Sequence, residues 1–339
     1  MRSSRITEGF GKFKVSVCMI TFNHAAFIEQ AIKSVLMQEA DFDFELVIGD
    51  DCSTDGTAAI VADYQKRHPA KIRAFLREKN LGMQKNSMQT HDACHGQYLA
   101  LLEGDDYWTD PLKLQKQVDF LDNHRECAAC FHNVLLIDDC NGDSLTLAYS
   151  GKMKSCYTFR DIIQGNFIYT ASVVARNGLF GDFPKWYFDM PMGDWPYHLL
   201  NAQYGSYGYL DEVMASYRRH SGGAWSSVSY IEIVKRNIKA FTIVKRQMNC
   251  HGSNLDDNLA YWKKELVYLL NEKGDYLSAG QFAREYFVTL VRAIFRKSTR
   301  EVFFLLSSVL RGESPGLWCF LRKTCHLPLQ DRSAKQSGK

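Results

Sequence analysis

The stretch ELVIGDDCSTDGT, residues 45–57, runs an apolar segment into two adjacent carboxylates, Asp50 and Asp51, and then into small polar residues and a glycine. The apolar part reads as a buried strand with the acids at its tip. Three chemistries use such a tip: a calcium loop, the aspartate loop of a phosphatase, and the edge of a nucleotide pocket. Asp51, Ser53, Asp55 and Gly56 fall on the first, third, fifth and sixth positions of a calcium loop. Its last position requires a bidentate glutamate, and Ala62 stands there. The preceding segment is also strand-like rather than helical, so the calcium reading is set aside.

Outward from this strand the pattern alternates. KVSVCMI (14–20), FELVI (44–48), IRAFL (72–76) and QYLALL (97–102) read as strands. AAFIEQAIKSVLMQ (25–38) sets Phe27, Ile28, Ala31, Ile32, Val35 and Leu36 on one helical stripe. DGTAAIVADYQKRH (55–68) reads as a helix with Ser53 or Thr54 as its cap, and PLKLQKQVDFLDNH (111–124) as a helix with Pro111 in its first turn. Such alternation argues an α/β, doubly wound, mostly parallel sheet. Ligands of such sheets sit beyond the carboxyl ends of the strands. There the sequence puts TFNH, GDDCS and EGDDYW.

Beyond residue 140 the alternation loosens. Asn141-Gly142 marks a hairpin turn; 167–175 and 207–220 read as strands flanking a short helix over 192–205. Amphipathic helices with interleaved basic residues follow over about 230–310. The last dozen residues are polar and are expected to be disordered.

Ordinary globular composition, 46% hydrophobic and 23% charged over 339 residues, fits one large domain with an appendage. No apolar run approaches the roughly 18 residues of a membrane span. The first apolar octet has no small-residue cleavage site behind it, so it reads as a strand and the protein as cytoplasmic. Ten cysteines are scattered, and the single CxxC of Cys127 and Cys130 lacks the second pair that zinc requires. Residues 1–228 hold 22 Lys+Arg against 28 Asp+Glu, a balance of −6; residues 229–339 hold 19 against 10, a balance of +9. The basic part is read as a face toward an anionic membrane surface or as an ordinary solvated helical face. No nucleic-acid partner is expected.

Asp105 and Asp106 leave a buried strand together. Neighbouring carboxylates repel unless a cation is shared, and Mg²⁺ or Mn²⁺ suits oxygen ligands. A pair of solvated acids is the plainer alternative.

The runs VSVCMITFNHAAFIEQAIKSVLMQ, ELVIGDDCSTDGT, NLGMQKN and LLEGDDYW, in this order over 14–130, resemble the donor-binding half of a glycosyltransferase family 2 enzyme. TASVVAR, MGDWP and YRRHSGGAWS are similar to the acceptor half of bacterial cell-surface polysaccharide members. The resemblance implies a Rossmann-like nucleotide-diphospho-sugar transferase (GT-A) fold with a mixed, mostly parallel sheet. It implies a catalytic domain over 14–228, with donor half 14–137 and acceptor half 138–228. A short extension (1–13), a helical region (229–322) and a polar tail (323–339) lie outside it.

By resemblance, Thr21 and Asn23 line the nucleotide, Asp51 accepts from the base while Asp50 holds the loop, and Lys85 and Asn86 stand where the family often has Arg-Asn. Lysine keeps the charge there but loses the fork geometry. Asp105 contacts the ribose, and Asp106 with His220 ligates the metal, a structural histidine being the alternative for His220. Glu103 departs from the Asp usual at that place. Asp194 stands at the position of the catalytic base, and a helix cap is its alternative role. Arg218, Arg219 and Trp225 close over the diphosphate or acceptor, or simply form a surface loop, and TAS (170–172) faces the acceptor or simply packs in a strand.

The resulting expectation is an inverting, metal-dependent transfer from a nucleotide sugar to a hydroxyl of a saccharide or lipid-linked acceptor at the inner membrane face. UDP-sugars are favoured, because uracil's imide N–H suits Asp51. A nucleotidyltransferase would need a Gly-rich basic loop after the first strand, and a phosphatase an aspartate where Asn23 stands. A non-catalytic nucleotide-sugar-binding protein of the same fold is the rival reading.

Overall fold

The structure is a computed structural model and describes residues 12–138, 144–248, 253–275, 277–279, 281 and 283. The chain divides into two compact units, Met1–Val228 with Ile243–Asn249 and Ser229–Thr242 with Cys250–Lys339.

The first unit begins with strands and helices in alternation: β1 (Val15–Thr21), α1 (Ile28–Leu36), β2 (Phe44–Asp50), α2 (Thr57–Arg67), β3 (Ile72–Leu76), α3 (Met83–Asp92) and β4 (Tyr98–Glu103). Then come β5 (Tyr107–Trp108), α4 (Lys113–Asn123), β6 (Cys127–Asp138), β7 (Ser144–Leu147), β8 (Cys156–Tyr157), α5 (Phe159–Ile162), β9 (Val174–Arg176), α6 (Asp194–Asn201) and β10 (Ser206–Arg219). They form one sheet in the order β3-β2-β1-β4-β9-β6-β10-β5, with β7 on β6 and β8 on β10. β3, β2, β1 and β4 are mutually parallel, as are β6 and β10, while β9 joins the two sets antiparallel. The sheet is therefore mixed and mostly parallel.

The apolar strands explain the core. Every residue of β2 is buried, as expected of a strand covered on both faces. Val17, Met19, Leu46, Ile48, Ala100 and Leu102 share one core cluster with Ile28, Ile32 and Val35 of α1. The registers set the site. Thr21 lies opposite Asp50, and Ile20 opposite Glu103, so three strand tips end side by side. Gly104 permits that closeness: a Cβ there would lie 2.6 Å from Thr21 Oγ1 and 2.8 Å from Thr21 Cβ.

Several elements differ from the reading of the sequence. The first helix starts at Ile28 rather than 25, because the N–H groups of both Phe27 and Ile28 donate to the His24 carbonyl. Neither Ser53 nor Thr54 caps α2; Asp55 accepts from Thr57 N at 3.1 Å and Thr57 Oγ1 at 2.6 Å instead. The expected strand over 167–175 is broken by a 3-10 turn at Thr170–Ser172, and only Val174–Arg176 pairs. α3 and the long β6 were not anticipated. The Asn141-Gly142 turn falls outside the described residues, as do residues 1–11 and the tail over 323–339.

α7 (Tyr230–Gln247) begins in the second unit, where its Val234 joins Leu266 and Leu270 of α8 (Ser253–Glu272) in a small core that Ala279 completes. Among the described residues no helix is long and apolar enough to cross a membrane.

Candidate active site

The first two strand tips are laced together. Asn23 adopts a left-handed backbone (φ 56), donates its N–H to Ser53 Oγ at 2.8 Å and accepts Thr54 N–H at Oδ1 at 2.8 Å. Asp50 accepts from Ser53 N at 3.0 Å and Ser53 Oγ at 2.5 Å, a loop-holding role. Asp51, also buried, accepts the backbone N–H groups of Leu81 at 2.7 Å and Gly82 at 3.0 Å. Two of the roughly four lone-pair positions of its carboxylate are thus in use. Thr21 is buried, and its Oγ1 has no partner among the described residues.

Asn86 and Lys85 differ in setting. Asn86 is buried and donates to the Gly49 carbonyl at 2.8 Å while accepting Arg77 Nε at 3.2 Å, which pins α3 to β2. Lys85, one residue earlier, is exposed.

The third tip carries three acids, Glu103, Asp105 and Asp106. Asp106 is buried, and its Oδ1 accepts Arg218 N–H at 2.8 Å while Oδ2 has no partner among the described residues. Burial, with Asp105 and Glu103 beside it, pushes its carboxyl well above the ordinary range. Asp105 behaves oppositely. Burial works to raise it, but a hydrogen bond from His220 and the nearby His24 draw it below its ordinary value. His220 Nε2 lies 3.1 Å from Asp105 Oδ2, and His24 Nε2 lies 3.6 Å from the same oxygen. The His220 ring packs on Phe27 with centroids 4.6 Å apart. Arg218 bridges the tips: its guanidinium donates to the Asp105 carbonyl and to Gln30 Oε1, and lies over the rings of Phe27 and Tyr107. Arg219, the next residue, is exposed.

Asp194 opens α6. Its Oδ2 accepts Asn166 Nδ2 at 2.6 Å and its Oδ1 accepts Trp195 N–H at 2.8 Å, so both oxygens are oriented. Burial raises its carboxyl above the usual range despite those bonds. Glu103 rises to about 8, first through burial and then through Asp105 and Asp194, with a hydrogen bond to Thr170 opposing. The Tyr217 phenol is raised by burial and then by Glu103, Asp106, Asp105 and Asp194. All four carboxylates act on the charge of this one phenol.

The donor set fits a divalent cation. Two groups of ligand atoms each lie within 4.8 Å of one another: His24, Asp105 and His220, and Glu103, Asp105 and Asp106. The unpartnered Asp106 Oδ2 sits among acids, an arrangement that a shared cation relieves. Asp105 belongs to both groups, and His220 is brought against Asp105 rather than Asp106. His24, Tyr217 and Asn166 were not singled out from the sequence. Only His24 had a visible signal, its place in TFNH at a strand end.

Residues 16–177 match the family described as Glycosyl transferase family 2. The chain is 40% identical over 215 residues to the uncharacterized protein Rv1520 of Mycobacterium tuberculosis, covering 63% of this chain and 61% of that protein. It therefore matches less than two thirds of that relative's length. Residues 1–349 of TarS from S. aureus, solved with UDP-GlcNAc, align with TM-score 0.57 at 19% identity over 80% of this chain and 81% of that one. The mannosyltransferase PcManGT from Pyrobaculum calidifontis, solved with GDP-Man and Mn²⁺, aligns with TM-score 0.51 at 16% identity over 92% and 84%. At those identities the structural likeness shows a shared fold, the GT-A fold.

Proposed function

Since residues 16–177 belong to glycosyltransferase family 2, we propose that the protein transfers a sugar, with inversion, from a nucleotide-diphosphate sugar to a hydroxyl of a saccharide or lipid-linked acceptor. The observation that carries this reading is the cluster of Glu103, Asp105 and Asp106, with Asp194, both of its oxygens oriented, acting electrostatically on Glu103. Asp194 is the base. Asn166 and the Trp195 N–H fix its carboxylate, and its raised proton affinity suits it to accept the acceptor hydroxyl's proton near neutral pH. The hydroxyl oxygen then bonds the anomeric carbon as the bond from that carbon to the diphosphate breaks, and the nucleoside diphosphate leaves. Asp105 and His220 would hold a divalent cation, with Asp106 behind them. When bound, the cation neutralises the charge of the departing diphosphate.

UDP-sugars are the favoured donors. Asp51 retains lone pairs for an imide N–H, and Thr21 and Asn23 border the same tip. Lys85 reaches the phosphates from the exposed side of α3, whereas Asn86 acts by holding that helix on β2. The exposed Lys235 and Lys239 lie on one face of α7 and suit an anionic membrane surface, which flotation with anionic and neutral vesicles tests.

The central test is turnover of a panel of nucleotide sugars with Mn²⁺ and saccharide acceptors by the wild type and Asp194→Asn. The expected result is turnover that the variant loses by roughly 10²–10⁴-fold, with UDP binding retained. Binding without turnover across the panel would instead favour the non-catalytic binder.

A further inference from the structure

We propose that His24 is a third cation ligand, which makes the site two imidazoles and one carboxylate and sets its preference for Mn²⁺ or Co²⁺ over Mg²⁺. The inference rests on the cation-assisted reading above and concerns which atoms do the holding. Both Nε2 atoms are aimed at one oxygen, Asp105 Oδ2, from 3.1 Å (His220) and 3.6 Å (His24). Ligands about 2.1 Å from a cation and at right angles to each other lie roughly 3.0 Å apart. His220 already meets that spacing, and His24 meets it after a shift of about half an ångström.

The rings lie close without stacking, their centroids 6.1 Å apart with an interplanar angle of 82°. His24 is held from behind, because its N–H donates to Thr57 Oγ1 at 2.8 Å and its carbonyl accepts from the first turn of α1. Its Nδ1 is buried without a partner among the described residues, so none of them turns the ring away from Asp105 by a second hydrogen bond. The imidazoles come from the first strand tip and from the end of β10, far apart in the chain, and meet only because β1, β4 and β10 end together.

The two ligand clusters predict opposite selectivities. Glu103, Asp105 and Asp106 offer only hard oxygens, which suit Mg²⁺. His24, Asp105 and His220 offer two borderline nitrogens, which suit first-row transition metals and rank Co²⁺ above Mn²⁺.

The experiment uses the full chain with UDP as the nucleotide probe. Mg²⁺, Mn²⁺ and Co²⁺ are titrated calorimetrically, and the Mn²⁺ protein is examined by electron spin-echo spectroscopy for ¹⁴N couplings. The expected order is Mg²⁺ weakest and Co²⁺ tightest, with two imidazole nitrogens on Mn²⁺. In His24→Gln one nitrogen disappears, and Mn²⁺ affinity falls by at least about tenfold, the lower end of the losses seen when a metal ligand loses its support. His24→Asn should behave alike. A single nitrogen in the wild type, or equal affinity for Mg²⁺ and Mn²⁺, would overturn the proposal. The wild-type nitrogen count decides the matter even where a variant fails to fold. If no divalent cation binds at all, the cation-assisted reading falls with it; if Mn²⁺ binds through His220 alone, only the role of His24 is lost.

Discussion

Replacing Lys113 with methionine isolates the most unusual charge beneath the site. The Lys113 side chain is fully buried at the start of α4, where Nζ donates to Gln117 Oε1 at 2.7 Å and lies 4.2 Å from the centre of the Trp108 ring. Burial pushes its ammonium down to about 7. An unfolded lysine titrates near about 10.4. Between those values the unfolded chain binds a proton that the folded chain does not, so this residue makes stability rise with pH and withdraws stability as pH falls toward 7. At about 1.36 kcal/mol per unit, and with half-protonation at the lower end, the gain from pH 7 to pH 9 is about 2 kcal/mol. Glu103 and the thiols titrate in or near the same interval, so the absolute curve mixes several groups. The difference between wild type and Lys113→Met cancels the shared part, because methionine keeps the apolar stem and carries no charge. Urea unfolding at pH 7, 8 and 9 should show that difference moving by about 2 kcal/mol in favour of the wild type. A flat difference would refute the reasoning and mean that the indole face and Gln117 keep the ammonium charged in the fold.

Three further outcomes follow from individual contacts. Gly49→Ala would put a Cβ 2.0 Å from Thr90 Oγ1 and 2.8 Å from Asn86 Oδ1, so α3 must shift off β2; a loss of about 1–3 kcal/mol is expected from thermal unfolding. Arg218→Lys should lower stability by roughly 1.5–3 kcal/mol, because an ammonium cannot span the Asp105 carbonyl and Gln30 together, and a melting curve like the wild type's would count against the bridging role. Because desolvation raises Asp194, kcat/KM should fall as pH drops through a value above the ordinary carboxylate range, with unit slope; an acid limb at an ordinary carboxylate value would contradict its role as the base.

Legibility in the sequence follows the range of the interactions. β1 to β4 could be read because each is a short apolar run bounded by turn residues, and their tips because parallel strands present their carboxyl ends together. The 3-10 turn at Thr170–Ser172 was misread as strand for a non-local reason. Trp108 Nε1 donates to the Ala171 carbonyl at 3.0 Å and Gln117 Nε2 to the Ser172 carbonyl at 2.9 Å, so side chains take backbone groups that a ladder would have used. Both donors lie more than fifty residues away in the chain. The same holds for Asp51 and Asn86. Their residue types suit ligand contacts, yet much of their bonding capacity goes to Leu81, Gly82, Gly49 and Arg77, partners that only the folded chain brings near.

The acids at the centre show why a motif located the site but did not divide its labour. From the sequence, Asp105 and Asp106 are equivalent neighbours. In the fold they part because β10 ends beside them: it gives Asp106 a backbone N–H from Arg218 and gives Asp105 the His220 ring. One carboxylate is thereby held ionised beside two imidazoles, while the other is buried deeper, among like charges, with an oxygen unpartnered. A sheet that brings so many carboxyls to one point gains nothing in stability from doing so, since each raises the proton affinity of the next. Under the proposed function, a cation together with a departing diphosphate would meet that charge.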